Sequence, residues 1–332
     1  MSRTVLVTRT RIHPEAVTML NENGFECLFS PPYASGEEVV RVAREARVDA
    51  IMVSQGRITR EVMAASSALK VVVKHGSGVN NINLAAAEDL GIPVYRAVGA
   101  NARSVAEHAI ALMLSLLKSL PHLDKATKGG QWLKSSFVGR DIRGARLALV
   151  GLGEIGREVA TLARGLGMEI SAFDPGCDAA AREALGRDDI KVVDAIEDML
   201  ADADVVSLHC PLTPATHHLV NRSFLARLKP EAVLVNTARG GIVDEEALAE
   251  ALFAGTLAGA GIDSFEQEPP APDLALWAAP NLIVSPHAAG LTPGAERAMA
   301  TMAAQLIIDH LAGKPVPPKF HAKAAALGGL QE

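Results

Sequence analysis

Aromatic side chains are scarce in this sequence, at 4 % of 332 residues, so its core must be built from Ala, Val, Leu and Ile. Buried parallel strands covered by alanine-rich helices have that composition. Cysteine is scarce as well: Cys27, Cys177 and Cys210 are far apart and odd in number. They offer no metal-ligand spacing and no disulfide framework, which fits a reducing compartment. A surplus of positive charge is absent. The net charge is −6 with basic residues scattered, which argues against a nucleic-acid surface. Lys314, Lys319 and Lys323 read as a solvated tail rather than a phosphate patch. Long apolar runs are missing too: residues 109–117 are too few to cross a bilayer and stop at Lys118. Charge enters the first eleven residues too early for a signal peptide. These absences predict a cytoplasmic protein with neither a membrane nor a nucleic acid as partner.

What is present describes a soluble globular chain, 49 % hydrophobic and 21 % charged. Its length exceeds what one core usually supports, so two domains are expected. Short β-branched runs at 4–8, 50–53, 71–74 and 93–95 alternate with amphipathic segments at 14–23, 37–46 and 84–90. Strands separated by helices predict βαβ units and parallel sheets. An Ala/Leu-rich segment, 104–120, reads as a long buried helix ended by Pro121. After a loop over 128–144 the alternation restarts, with strands expected at 146–150, 169–173, 205–210, 233–237, 259–262 and 282–285. A last helix is expected at about 295–311, before a Pro- and Ala-rich tail.

The second run of strands opens on Gly151-Leu152-Gly153-Glu154-Ile155-Gly156. A G-x-G-x-x-G pattern alone is weak, but here it joins an expected strand to an expected helix. In that setting Gly151 allows the tight turn, Gly153 lets the backbone approach a pyrophosphate, and Gly156 lets helix and strand pack closely. The helix N-terminus adds unpaired N–H groups and partial positive charge. The next strand leads to Asp174, roughly 20 residues beyond the loop, where an acidic residue receives ribose hydroxyls and repels a 2′-phosphate. NAD is therefore expected over NADP. Asp174 can also start the turn Asp174-Pro175-Gly176, and the two roles are compatible.

Three further residues follow strands of this second run. Arg239, between a strand and Gly240-Gly241, can hold a carboxylate bidentately and polarise the adjacent carbonyl. Glu268 lies beyond 259–262, and His287 beyond 282–285. A carboxylate on one imidazole nitrogen orients the ring and favours its protonated form, so the other nitrogen can exchange a proton with substrate. Either residue alone would more often be structural. Their placement after successive strands is what singles them out.

With these stretches assembled, the sequence resembles the D-isomer-specific 2-hydroxyacid dehydrogenases, in the branch containing phosphoglycerate dehydrogenase. The matching stretches are Val150-Gly-Leu-Gly-Glu-Ile-Gly-Arg, His209-Cys-Pro-Leu-Thr-Pro, Asn236-Thr-Ala-Arg-Gly-Gly-Ile-Val-Asp, Gly261-Ile-Asp-Ser-Phe with Glu268-Pro-Pro, and Pro286-His-Ala-Ala-Gly. The resemblance implies reversible hydride transfer between NAD and a small 2-hydroxy or 2-oxo acid. Arg239, Glu268 and His287 would be catalytic. It implies cofactor contacts at Ser77, Gly151, Gly153, Glu154, Ile155 and Gly156, and at Asp174, Cys210, Thr237, Ala238, Asp263 and Gly290, with Asp263 facing the nicotinamide carboxamide. Substrate would be met by Ser54, by the loop Gly76, Ser77 and Gly78, and by Arg239. No metal is implied.

The implied fold is α/β with two Rossmann-like parallel-sheet domains. A discontinuous, flavodoxin-like substrate domain (1–101 and 292–332) would carry an inserted NAD-binding domain (102–291), and the helix from Ser104 would join a homodimer. Two departures stand out. Family members often have Gly-x-Asp-Asn where this chain has Val79-Asn80-Asn81, and phosphoglycerate-using relatives carry Arg-Ser where it has Ser54-Gln55-Gly56-Arg57. Phosphate recognition then depends on Arg57 or Arg60. A chain ending at Glu332 also leaves no room for a C-terminal regulatory domain. Glu268 argues against the formate dehydrogenase branch, which places glutamine there. A non-catalytic NAD(H)-sensing protein on this fold stays open, as does the choice between phosphoglycerate and glyoxylate or hydroxypyruvate.

Overall fold

The computed structural model describes residues 3–31 and 34–323. The chain divides into two compact units, residues 1–101 with 291–332 and residues 102–290. In the first, β1 (Arg3–Val7), β2 (Phe25–Phe29), β3 (Ala50–Val53), β4 (Val71–Lys74) and β5 (Val94–Arg96) form a parallel sheet of order β2-β1-β3-β4-β5. This is the flavodoxin-like order. β3 is buried along its whole length, with Ile51 and Met52 fully enclosed, each side chain contributing about 1.5–3 kcal/mol. Helices cover both faces, among them Pro293–Leu311, which returns from the far end of the chain to pack Ala300, Ala303, Ala304 and Ile307 into the core.

The second unit holds β6 (Arg146–Val150), β7 (Glu169–Phe173), β8 (Ile190–Val192), β9 (Val205–Leu208), β10 (Val233–Asn236), β11 (Gly259–Ile262) and β12 (Leu282–Val284). They pair in parallel in the order β12-β11-β10-β9-β6-β7-β8. Counted from β6 this is 3-2-1-4-5-6 with a seventh strand added, the dinucleotide-binding winding. The reversal of order lies between β6 and β9, so the ends of those strands form the crevice where such sheets take ligands.

Three expectations need correction. The helix expected over 104–120 is two helices, Ala102–Leu117 and Leu120–Lys128. Ser119 breaks them apart with a left-handed φ of 51°, and Pro121 falls in the first turn of the second helix. Proline is tolerated there because first-turn N–H groups lack intrahelical partners. β2 and β8 were not expected; both are edge strands, interrupted by Glu26 and Lys191, so their apolar pattern is weak. The tail is partly docked: the Ala322 N–H donates to the Val94 carbonyl at 2.9 Å, and Lys314 pairs with Asp309. Residues 324–332 of the expected tail lie outside the described residues. No described helix is long and apolar enough to cross a membrane.

Candidate active site

β10 ends at Asn236, whose fully buried side chain shapes the exit from the sheet. Its Oδ1 accepts the Ala238 N–H at 3.0 Å and its Nδ2 donates to the Arg239 carbonyl at 2.9 Å. An Asx turn of this kind sets the backbone that presents Arg239. Gly240 follows under compulsion: a Cβ there would lie 1.8 Å from the Phe265 carbonyl carbon. The loop after β11 therefore crosses directly over the residue next to Arg239. Burial pushes the Arg239 guanidinium below its ordinary value while the Glu268 charge works against this. Guanidinium remains cationic at any physiological pH.

That crossing loop carries Glu268, and the loop after β12 carries His287. Glu268 accepts from His287 Nδ1 with both oxygens, at 2.9 and 2.8 Å. A carboxylate can only accept, so Nδ1 bears the hydrogen and Nε2 remains for exchange with a ligand. Burial alone would raise the Glu268 carboxyl; hydrogen bonds from His287 and the Phe265 N–H, with the charges of His287 and Arg239, outweigh it and hold it low. The two side chains are 40 % and 46 % exposed, so the pair is reachable.

His287 adopts a left-handed φ of 54°, a costly conformation for a non-glycine residue that persists only when its surroundings impose it. Asp263, 1 % exposed, imposes it. Its carbonyl accepts the His287 N–H at 2.7 Å, and its carboxylate accepts from Ser285 Oγ at 2.6 Å and the N–H groups of Ala288 and Ala289 at 2.8 and 3.0 Å. The position expected to face nicotinamide is thus also the anchor of the histidine loop. Ser285 is shared with His108 Nε2 at 2.9 Å, so His108, on helix Ala102–Leu117, completes this network. Sequence reasoning missed both. Neither stands in a pattern that marks it, and only folding brings 108 beside 285.

The glycine loop lies between β6 and helix Glu154–Gly165. Gly151 has φ 101°, and a Cβ on it would meet the His209 and Cys210 backbone at 2.7–2.8 Å. A Cβ on Gly156 would lie 2.1 Å from the Gly151 oxygen, whereas Gly153 faces open space. The cradle fits a pyrophosphate: closed where the chain must pack, open where a ligand must approach, and backed by first-turn N–H groups of a twelve-residue helix that includes Glu154 and Ile155. Asp174 accepts from the N–H groups of Leu152 at 2.7 Å and Gly176 at 2.8 Å, so it braces the loop and starts the turn at once. Nearby, burial keeps the Cys210 thiol up at about 11. The Thr237 hydroxyl oxygen is buried with no partner among the described residues, a donor in want of a ligand. The Ala238 N–H is already taken by Asn236. Gly290 closes the unit.

Ser54, Gly76, Ser77 and Gly78 lie in the other unit, after β3 and β4. Lys74 Nζ donates to the Ser54 carbonyl at 2.9 Å and to Asn81 Oδ1 at 3.0 Å, and Asn81 Nδ2 donates to the Gly56 carbonyl at 2.6 Å. These bonds knit the two loops together. Gly76 takes φ 135°, and Ser77 Oγ donates to the Ala97 carbonyl at 3.5 Å. Of the two arginines proposed for phosphate, Arg60 is ion-paired with Asp89, and Arg57 is exposed. Among the described residues no His, Cys, Asp and Glu group could hold a metal.

Comparison with known proteins identifies the family of the chain. A family model described as D-isomer specific 2-hydroxyacid dehydrogenase, NAD binding domain, matches residues 110–289. The chain is 38 % identical over 306 residues to a D-3-phosphoglycerate dehydrogenase of Archaeoglobus fulgidus, covering 92 % of itself and 57 % of that protein. It is 34 % identical to a hydroxypyruvate reductase of Thermotoga maritima, covering 92 % of itself and 99 % of the relative. A solved structure from Thermus thermophilus superposes with a TM-score of 0.84 at 34 % identity, over 96 % of this chain and 99 % of that one. The chain spans somewhat over half the length of the archaeal phosphoglycerate dehydrogenases it matches.

Proposed function

The chain belongs to the D-isomer-specific 2-hydroxyacid dehydrogenases and carries their NAD-binding domain; from that premise we propose that it reversibly interconverts a small 2-hydroxy acid and its 2-oxo acid. The observation that carries the reading is the Glu268–His287 pair, at 2.8 Å, within electrostatic reach of Arg239. Bound NAD supplies the hydride acceptor or donor at C4 of its nicotinamide. Arg239 holds the substrate carboxylate and draws electron density from the neighbouring carbonyl. His287 Nε2 gives a proton to the nascent alkoxide during reduction and takes it from the hydroxyl during oxidation. Glu268 stabilises the imidazolium and keeps the ring turned so that Nε2 faces outward. Ser54 and the Gly76–Gly78 loop meet the substrate in this reading. Asp263, Thr237 and the glycine loop meet the cofactor.

Arg60 is paired with Asp89 while Arg57 stays exposed, so a phosphorylated acid would rest on Arg57, and we favour an unphosphorylated acid such as glyoxylate or hydroxypyruvate. Leu120, Trp132 and Val138 expose 52 %, 77 % and 91 % of their surfaces along one stretch of the second unit, which supports a homodimer, testable by sedimentation of Trp132→Ser. We place the protein in the cytoplasm.

The test follows NADH oxidation with glyoxylate, hydroxypyruvate, pyruvate and phosphohydroxypyruvate. Turnover on at least one unphosphorylated acid is expected, and His287→Ala is expected to lower kcat by ~10²-fold or more. No turnover on any acid would leave an NAD(H)-binding protein without this reaction. A near-normal kcat in the variant would remove His287 from its role.

A further inference from the structure

Glu268 does not reach His287 unaided. The loop that carries it is clamped at Glu266, two residues earlier, by two groups from different elements. Glu245, at the start of helix Glu245–Ala254, accepts the Glu266 N–H on Oε1 at 2.8 Å. His218 Nε2 meets the Glu266 side chain at Oε1, 2.5 Å away. Both clamps are themselves fixed. Asp244 caps the helix of Glu245 by accepting the Ala247 N–H at 3.0 Å, and the Asp244 N–H donates to the Val220 carbonyl at 3.0 Å. The His218 N–H donates to the Gly241 carbonyl at 2.8 Å, holding His218 at a left-handed φ of 47°, and its ring stacks on His217 at 4.1 Å.

The segment that supports His218 is therefore the one that carries Arg239, and the clamped loop is the one that passes over Gly240. Through Glu266 these elements fix the height of the Glu268 backbone relative to His287. We infer that Glu245 and His218 are positioning residues, which hold Glu266 so that the Glu268 carboxylate keeps both oxygens on His287 Nδ1. Glu245 also feels the site directly: burial pushes its carboxyl up, the Glu266 N–H pulls it down, the Glu266 and Glu268 charges raise it and His218 lowers it. What the clamp requires of residue 245 is an acceptor atom, not a charge. Glutamine satisfies that requirement and alanine does not.

This inference rests on the proposed proton-transfer role of Glu268 and His287, and its test reads the contact separately from turnover. The whole protein, with histidine labelled by nitrogen-15, is expected to show an exchange-protected imidazole N–H resonance that disappears in His287→Ala. In Glu245→Ala that resonance is expected to be lost to exchange with water. There kcat should fall roughly tenfold, with KM changed less than twofold; misplacement by about 1 Å can cost up to ~10²-fold. Glu245→Gln is expected to restore both. A wild type without the resonance, an unchanged resonance in Glu245→Ala, or no rescue by glutamine each overturns the clamp. Should Glu245→Ala fail to fold, Glu266→Pro, which removes the clamped N–H, carries the same expectation, and an unchanged resonance there overturns it. A resonance that responds as expected in a protein that reduces no 2-oxo acid supports the clamp and refutes the reaction.

Discussion

In the first unit the chain leaves β1 through Thr8, whose hydroxyl accepts the Ser54 N–H at 3.0 Å and donates to the Gln55 carbonyl at 2.8 Å. In the second it leaves β6 through Gly151, pressed against the backbone of His209 and Cys210. Both turns follow the strand about which the sheet order reverses. One is filled by side-chain hydrogen bonds and the other is emptied by glycine, so only the second can bring backbone N–H groups up to a pyrophosphate. Two doubly wound sheets of different order thus carry different turns at their switch points, and the chemistry resides in the turns rather than in the sheet. Each unit also encloses an imidazole directly after an inner strand: His75 after β4 is buried, and His209 after β9 is partly buried with its Nδ1 shut off from solvent.

Glycine positions break the comparison most sharply. Gly240→Ala would force a Cβ to within 1.8 Å of backbone that cannot swing aside, and it is expected to cost more than about 4 kcal/mol. Gly76→Ala in the first unit meets only Met299 Sδ at 3.7 Å, so backbone strain of roughly 1–3 kcal/mol is the whole expected loss. Denaturant unfolding measures both, and equal losses would sink the distinction.

These two histidines come next. Burial, then the charges of Arg9 and Lys74, bring His75 down to about 4, while burial alone brings His209 down to about 3. An unfolded histidine takes up its proton near pH 6.5. Between that pH and about 4 or about 3, the unfolded chain binds protons that the folded chain refuses. Stability is therefore fully present above 6.5 and is lost as pH falls through this window. Replacing either residue by glutamine should flatten the fall of Tm with acid. High salt should shrink the His75 part more than the His209 part, because only the former contains a charge–charge component. A Tm that is level from pH 7 to 4.5 would contradict this.

The smallest effect is expected at Asp174. Asp174→Ala should raise NADP use relative to NAD by about tenfold, the equivalent of ~1.4 kcal/mol, and weaken both by loosening the Leu152 N–H. An unchanged ratio, read from initial rates with each cofactor, would reduce Asp174 to a turn residue.

Much of the architecture was legible because its signals are local. The runs at 50–53 and 71–74 are apolar on both faces up to the closing Lys74, as strands inside a covered sheet must be, and β3 and β4 occupy those residues. The edge strands β2 and β8 were not legible, since one face meets solvent and a charge interrupts each run. Pro121 misled for a related reason: proline reports a missing N–H, which suits a helix start as well as a stop. Around the site, Arg239, Glu268 and His287 could be singled out from their places after strands. His108, Ser285, Glu245 and His218 could not.

By itself the sequence determined where the chain turns and what those turns carry: glycines where backbone must come close, and a guanidinium, a carboxylate and an imidazole at successive strand ends. Periodicity and glycine spacing express backbone geometry over a few residues, so they can be read along the chain. Tertiary structure alone decided that Asp263 is an anchor for the histidine loop, that Arg60 is spent on Asp89, and that Glu268 is held through Glu266. The bonded partners lie far apart in sequence, and a hydrogen bond of 2.8 Å such as that from the Glu266 N–H to Glu245 exists only once packing has fixed both ends.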